Sequence, residues 1–384
     1  MAELDSVISS AVAQQDAPFL VAMTGNAQGV TWSGAAGASS PGKAAAASTV
    51  FRIFSQTKAV GSTAAMIMIE RGKLSPDTTV ESILPEFGAM KVVDGFGPDG
   101  PKMRAPRVQA TLRHLATHTS GLAYEFWNAD MPKYLEMTQH PSILSGLNVS
   151  LKYPLMFDPG ERWAYGIGID WLGQMVEKVD GRRIDQFCKE EIFDPLKMTD
   201  TAFEVEDHMA ARLAGVNIRG EDGKFADFAL APPSKPEFYG MGHALYSTAP
   251  DYMRFLRMFL NKGTLEGARI LSEASVQTML QNHIGSTPIP YLTSTAPPLT
   301  ADVDFFPGKR KSHSLGFMRF DEDIPGMRRA GSQGWAGVLN SHYWFDPKSN
   351  LAGVLMTQSL PFIEPRYAAT YEAFERAAYR ALAA

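Results

Sequence analysis

The chain has almost no cysteine, no long apolar run and no excess of one charge. Cys188 is the single cysteine in 384 residues, so no intrachain disulfide can form. Its place between Phe187 and Lys189 reads as plain packing. No stretch approaches the ~18 apolar residues of a membrane-spanning helix. The net charge of −5 offers no electrostatic case for nucleic acid as a partner. Met1-Ala2-Glu3-Leu4-Asp5 has two acids and no apolar core of signal-peptide type, so a cytoplasmic setting is expected. There is no G-x-S-x-G, which excludes the usual nucleophile elbow. His114 and His118 are four apart, but no glutamate lies between them and no third ligand is near, so no metal site is expected. Gly95-Phe96-Gly97-Pro98-Asp99-Gly100 matches a dinucleotide fingerprint in letters only. Pro98 and Pro101 break the helix that such a site needs, and the segment reads as a loop. What remains is a chain 45% hydrophobic and 20% charged, the balance of an ordinary globular protein of one large domain or two smaller ones.

What the chain does have is Ser55-Gln56-Thr57-Lys58. The run before it, Val50-Phe51-Arg52-Ile53-Phe54, is bulky and β-prone. The run after it, Ala59 to Ile69, is an uncharged helix that Gly72 can stop. A spacing of three puts both side chains on one helix face. Ser55 falls at the helix N-terminus, where free N–H groups favour developing negative charge. Lys58 is the only charge between Arg52 and Glu70. An ammonium among apolar neighbours is costly to keep charged, and a neutral lysine can take a proton from a serine hydroxyl. This is the S-x-x-K arrangement of a serine acyl-enzyme hydrolase.

The rest of the chain reads as strands at both ends and helices between. Residues 2–14 form an amphipathic helix, and Phe19–Met23 and Val30–Gly34 form a hairpin. A small-residue loop spans roughly 34–48. Helices are expected near 111–117, ending at Ser120-Gly121, and near 169–180, 184–192 and 249–261. Pro/Gly-rich connections fill 94–106, 231–240 and 285–309, the last being long enough for a lid or rim. Ser314–Phe320, Gly337–Phe345 and Leu351–Ser359 read as strands, and Ala368–Ala383 as a closing helix. The fold class is α+β: an antiparallel sheet from both termini, flanked by helices, with a mainly helical insertion. The expected division is 1–80 with 235–384 for the sheet domain, and 81–234 for the inserted one.

Two further segments carry chemistry. Tyr165, in Gly160-Glu161-Arg162-Trp163-Ala164-Tyr165-Gly166-Ile167-Gly168, sits on a tight loop where a phenol near a lysine can act as a base. In Gly331-Ser332-Gln333-Gly334-Trp335-Ala336-Gly337-Val338, small residues let a ligand approach strand N–H groups.

S-x-x-K early, a tyrosine loop in the middle and a Gly-rich strand late resemble the serine β-lactamase and penicillin-binding-protein superfamily. Within it the chain is similar to the class C β-lactamase-like carboxylesterases called family VIII. Leu115-Ala116-Thr117-His118-Thr119-Ser120-Gly121-Leu122, Phe157-Asp158-Pro159-Gly160 and His342-Tyr343-Trp344-Phe345-Asp346-Pro347 support this, and the similarity spans roughly residues 15 to 380. The resemblance implies Ser55 as nucleophile, Lys58 as its proton acceptor and Tyr165 as the base that also protonates the leaving alcohol. It implies an oxyanion hole from the N–H groups of Ser55 and Val338, with Tyr124, Ile167, Trp335, Ala336 and Gly337 around the substrate. β-Lactamases of this class carry Y-x-N, and here the third residue is Ile167. They carry K-T-G, and here Trp335-Ala336-Gly337 stands in its place. Losing the amide and the ammonium points to neutral esters rather than β-lactams. The implied activity is hydrolysis of a small ester, without metal or organic cofactor. The rivals are an acyltransferase of the same fold, a β-lactamase or D-amino-acid peptidase, and a non-catalytic sensor.

Overall fold

The central sheet draws its strands from the two ends of the chain. In this computed structural model, which describes residues 1–383, the first strands are β1 (Phe19–Gly25), β2 (Val30–Ser40) and β3 (Lys43–Ala44). The last quarter supplies β4 (Lys311–His313), β5 (Met318–Phe320), β6 (Gln333–Gly337), β7 (Ser341–Asp346) and β8 (Leu351–Met356). They pair antiparallel in the order β4-β5-β6-β7-β8-β1-β2-β3. The seam between the two halves is β1 on β8, with Val21 opposite Met356 and Gly25 opposite Ala352.

Five longer helices accompany this sheet, α1 (Ala2–Ala13), α2 (Thr57–Glu70), α3 (Gly168–Asp180), α4 (Ala249–Leu260) and α5 (Pro365–Ala383), and of these α3 packs on α2 and other helices rather than on the sheet. β1 is buried along its whole length, and its period of two sorts its residues between two cores. Phe19, Val21 and Met23 join Val60 of α2 and Tyr252 and Leu256 of α4. Leu20 and Ala22 face the other way, onto Leu4 and Ile8 of α1 and Tyr371 and Phe374 of α5. The result is a layer of helices on each face of the sheet. α2 is buried on every side from Thr57 to Met68, which explains a sequence that is apolar throughout rather than striped. No helix among the described residues is long and apolar enough to cross a membrane.

Several local expectations change in the structure. The β-prone run before Ser55 is a strand only over Phe51–Arg52, because Phe54 turns into the left-handed region at φ 43°. β2 runs on to Ser40, so its pairing with β1 absorbs part of the expected small-residue loop. The 94–106 connection is a β-hairpin, Val92–Gly97 on Gly100–Arg104, whose turn lies at Pro98-Asp99. The helix beginning at Leu112 stops at Ala116, four residues before Ser120-Gly121, because His118 takes a left-handed φ of 59°. The Gly337–Phe345 run is split between β6 and β7, the chain reversing at Asn340 with φ 62°. The long 285–309 segment is a rim: Leu292, Val303 and Phe305 reach the cleft described next.

Candidate active site

Ser55 sits in the short 3-10 turn Phe54–Gln56 that leads into α2. A left-handed φ at a bulky residue costs of the order of 1–3 kcal/mol. Phe54 carries that strain directly before Ser55 and swings the serine out of the strand direction. Lys58 follows in the first turn of α2, and its Nζ lies 3.2 Å from Ser55 Oγ. The ammonium also donates to the Tyr124 hydroxyl at 3.0 Å and to the Gly242 carbonyl at 2.8 Å. It lies over the rings of Tyr124 and Tyr165, 4.9 and 4.8 Å from their centroids. Lys58 is 1% exposed. Its surroundings are therefore hydroxyls, a carbonyl and aromatic faces rather than aliphatic carbon.

The two tyrosines take different places around this lysine. Tyr124, expected only to line the pocket, holds Lys58 through its hydroxyl. Burial, with Asp170 and Tyr165 nearby, raises the Tyr124 pKa well above its ordinary value, so its proton stays on. Tyr165 meets Lys58 with its ring, and its hydroxyl receives the Trp335 indole N–H at 3.1 Å. Trp335 thus supplies a donor as well as apolar surface. The two tyrosine loops are stitched together by the Tyr124 N–H to Tyr165 carbonyl bond of 3.0 Å. Gly166 permits this: a Cβ there would lie 2.1 Å from the Leu122 carbonyl oxygen.

Behind Tyr165 stands His118, fully buried, its ring 4.9 Å from the tyrosine ring. Burial, and secondarily His313 and Lys58, push its pKa well below the usual imidazole value, so it is neutral. His114 points elsewhere and caps its own short helix, accepting the Thr111 N–H. The two histidines of the sequence motif therefore do separate structural work.

β6 forms the wall opposite Lys58. A Cβ at Gly337 would fall 2.2 Å from the Ile53 carbonyl oxygen, so only glycine lets the strand close on the serine turn. That approach brings Ser55 and Val338 into the lining of one cleft of about 610 Å³. Tyr124, Tyr165, Trp335 and Ala336 line it too, among Phe126, Trp127, Phe305 and Phe362. Two expected substrate contacts lie outside the lining. Ile167 is fully buried at the start of α3, where an apolar side chain belongs in the core. Gly337 has no side chain to offer and backs onto Ile53.

Three residues absent from the sequence reading complete the site. Gly242 accepts Lys58; Asp170, fully buried, accepts the Gly242 N–H at 2.9 Å; His243 lines the cleft. The Gly240-Met241-Gly242 spacing at the end of the Pro-rich connection was the available signal.

This sheet, with a serine at a helix start and a buried lysine on its hydroxyl, defines a β-lactamase-like serine hydrolase fold. The Beta-lactamase family model matches residues 4–378, and the chain belongs to that family. It is 32% identical to the lovastatin esterase of Penicillium rubens, over 81% of this chain and 80% of that protein. It is 30% identical to the monacolin J acid methylbutanoyltransferase of Aspergillus terreus, over 86% and 82%. The solved simvastatin synthase of Aspergillus terreus superposes with a TM-score of 0.85 at 28% identity, covering 99% of this chain and 98% of that one.

Proposed function

We propose that the protein is a carboxylic ester hydrolase of the family VIII type, working through an acyl-enzyme on Ser55. The observation that carries this is the 3.2 Å contact of Lys58 Nζ with the Ser55 hydroxyl at a cleft walled by aromatic side chains. Ser55 Oγ attacks the ester carbonyl and its proton passes to Lys58. The alcohol leaves, protonated through Tyr165, and water hydrolyses the acyl-enzyme. The N–H groups of Ser55 and Val338 are assigned to the oxyanion. Tyr124 bridges Lys58 to the cleft, and Tyr124, Trp335 and Ala336 contact the substrate. The substrate class is a small neutral ester of short or medium acyl chain, and the reaction calls for no cofactor. A cytoplasmic setting fits the single, buried Cys188.

Relatives named as an esterase and as acyltransferases support ester chemistry and keep acyl transfer as the second reading, with an alcohol in place of water. Trp335, a neutral indole where a β-lactam's carboxylate would want an ammonium, argues against a β-lactamase or D-amino-acid peptidase. An open cleft with serine and lysine in contact argues against a silent sensor.

The test is mass spectrometry after fluorophosphonate treatment. One adduct is expected, on Ser55, and Ser55→Ala should lose both the adduct and at least about 10³-fold of esterase turnover. Labelling of Ser332 or Ser120 with Ser55 unmodified overturns the assignment. The kcat/KM for nitrophenyl butyrate should exceed that for nitrocefin by about 10² or more. Equal efficiency would favour a β-lactamase.

A further inference from the structure

One wall of the cleft comes from the rim segment 285–309, through Leu292, Val303 and Phe305. Its backbone is tied down at several points. Leu292 and Val303 exchange N–H to carbonyl bonds of 3.0 and 2.8 Å. The Ala301 N–H donates to the Phe362 carbonyl at 2.9 Å, and the Thr295 N–H to the Phe126 carbonyl at 2.8 Å. The Lys311 ammonium donates to the Phe305 carbonyl at 2.6 Å. With the backbone held this way, side chains decide how far the cleft reaches.

Phe305 has a place that no other described residue shares. It lines the catalytic cleft, a cavity of about 250 Å³ beside Phe306, Met318 and Phe320, and an outer groove of about 640 Å³ beside Asp302 and Glu372. One half-buried ring therefore stands where three spaces meet. That ring is 6.1 Å from the ring of Trp335, which is 4.9 Å from the ring of Tyr165. Phe305 is thus one aromatic ring further out than Trp335 from the tyrosine beside Ser55. Each methylene of a chain buried on apolar walls is worth roughly 4-fold in binding. A carbon that meets a fixed ring gains nothing and must turn back toward water. We propose that Phe305 is the end wall of the acyl site and sets the length of acyl chain the enzyme accepts. Carbons up to the ring bury against the aromatic walls of the cleft. Longer chains are stopped by the ring, although open space lies directly behind it.

The inference rests on the ester-hydrolase reading and names the feature that limits its substrate class. The experiment is kcat/KM for nitrophenyl esters from butyrate to dodecanoate in wild type, Phe305→Ala and Phe305→Trp. Opening the wall should raise the decanoate-to-butyrate ratio of Phe305→Ala by at least about 10-fold over wild type. The larger indole should lower that ratio in Phe305→Trp by about 3-fold or more. A ratio taken within one variant cancels any general loss of activity or of folded protein. Chain length on the alcohol side is the control: the octyl acetate to ethyl acetate ratio should stay within about 2-fold in all three proteins. An acyl ratio that does not rise in Phe305→Ala overturns the proposal, and so does an alcohol ratio that rises in its place. If no ester of the series acylates Ser55 by intact mass, the ester-hydrolase reading itself fails and takes the proposal with it.

Discussion

Two cations are buried equally deeply in this protein, Lys58 and Arg328, each 1% exposed. Arg328 is locked by an anion. Its Nε and Nη2 reach the two Glu375 oxygens at 2.8 and 2.5 Å, and Nη2 also reaches the Tyr371 hydroxyl at 2.6 Å. Burial alone would lower the Arg328 pKa, but the Glu375 carboxylate more than reverses this and the net shift is upward. The pair ties the segment before β6 to α5. Lys58 has no carboxylate in ion-pair contact among the described residues, only Ser55, Tyr124 and Gly242 oxygens. A buried charge answered by an anion stays charged and holds structure. One answered only by neutral oxygens and aromatic faces leaves no buried anion behind when it is removed.

The sharpest way to break this contrast is to remove each cation in turn. Lys58→Met should lower nitrophenyl butyrate turnover by at least about 10³-fold, about 4 kcal/mol in barrier terms. Its urea unfolding free energy should stay within ~1 kcal/mol of wild type or rise, since no buried anion is orphaned. Lys58→Arg keeps the charge and should fail as well. More than about a tenth of wild-type turnover in that variant would mean that no neutral amine is needed. Arg328→Met should do the reverse. Stability falls by about 3–5 kcal/mol because Glu375 is left buried and unpaired, while kcat of the folded enzyme is nearly unchanged. Adding Glu375→Gln should recover a good part of the loss in the same unfolding assay.

The acid counterpart is Asp251. It is buried at the start of α4, and Oδ2 takes the Asp200 N–H at 2.7 Å and the Thr201 hydroxyl at 2.9 Å. Burial pushes its pKa up to about 6, only partly offset by those hydrogen bonds. A carboxyl raised in the folded state binds its proton more tightly there than in the unfolded chain. Its contribution is therefore full below the ordinary carboxylate range and is lost as pH rises through about 6. Wild-type stability relative to Asp251→Asn should drop by up to about 3 kcal/mol between pH 4 and 7. Unfolding curves at the two pH values read this, and parallel curves would remove Asp251 from the rule. The smallest expected effect is at Trp335→Phe. It deletes the donor to Tyr165 and keeps the apolar wall, for a loss of ~0.5–1.5 kcal/mol or roughly 2- to 12-fold in kcat/KM. An unchanged kcat/KM would mean that the indole acts through its surface alone.

The sheet from both termini, the helix after Ser55 and the Tyr165 loop were legible because each is a local pattern of a few consecutive residues. The segment boundaries were less legible. Phe54, His118 and Asn340 turn the chain at left-handed φ without the glycine that usually announces such a turn. Ile167 was expected at the substrate because of its place in a motif, but its side chain followed its hydrophobicity into the core.

By itself the sequence determined that Ser55 and Lys58 come to the same side of the chain, because three residues make about one turn as the 3-10 turn at Ser55 runs into α2. It also determined the alternation that makes β1 face two cores. Only the tertiary structure decided what else Lys58 touches. Tyr124 and Gly242 lie 66 and 184 residues away along the chain. Asp170 reaches Gly242 across 72 residues, and Trp335 reaches Tyr165 across 170. Contacts at such separations have no period to read. They exist because the sheet closes β6 onto the Ser55 turn while α2 and α3 pack beneath it, and that packing is a property of the whole chain.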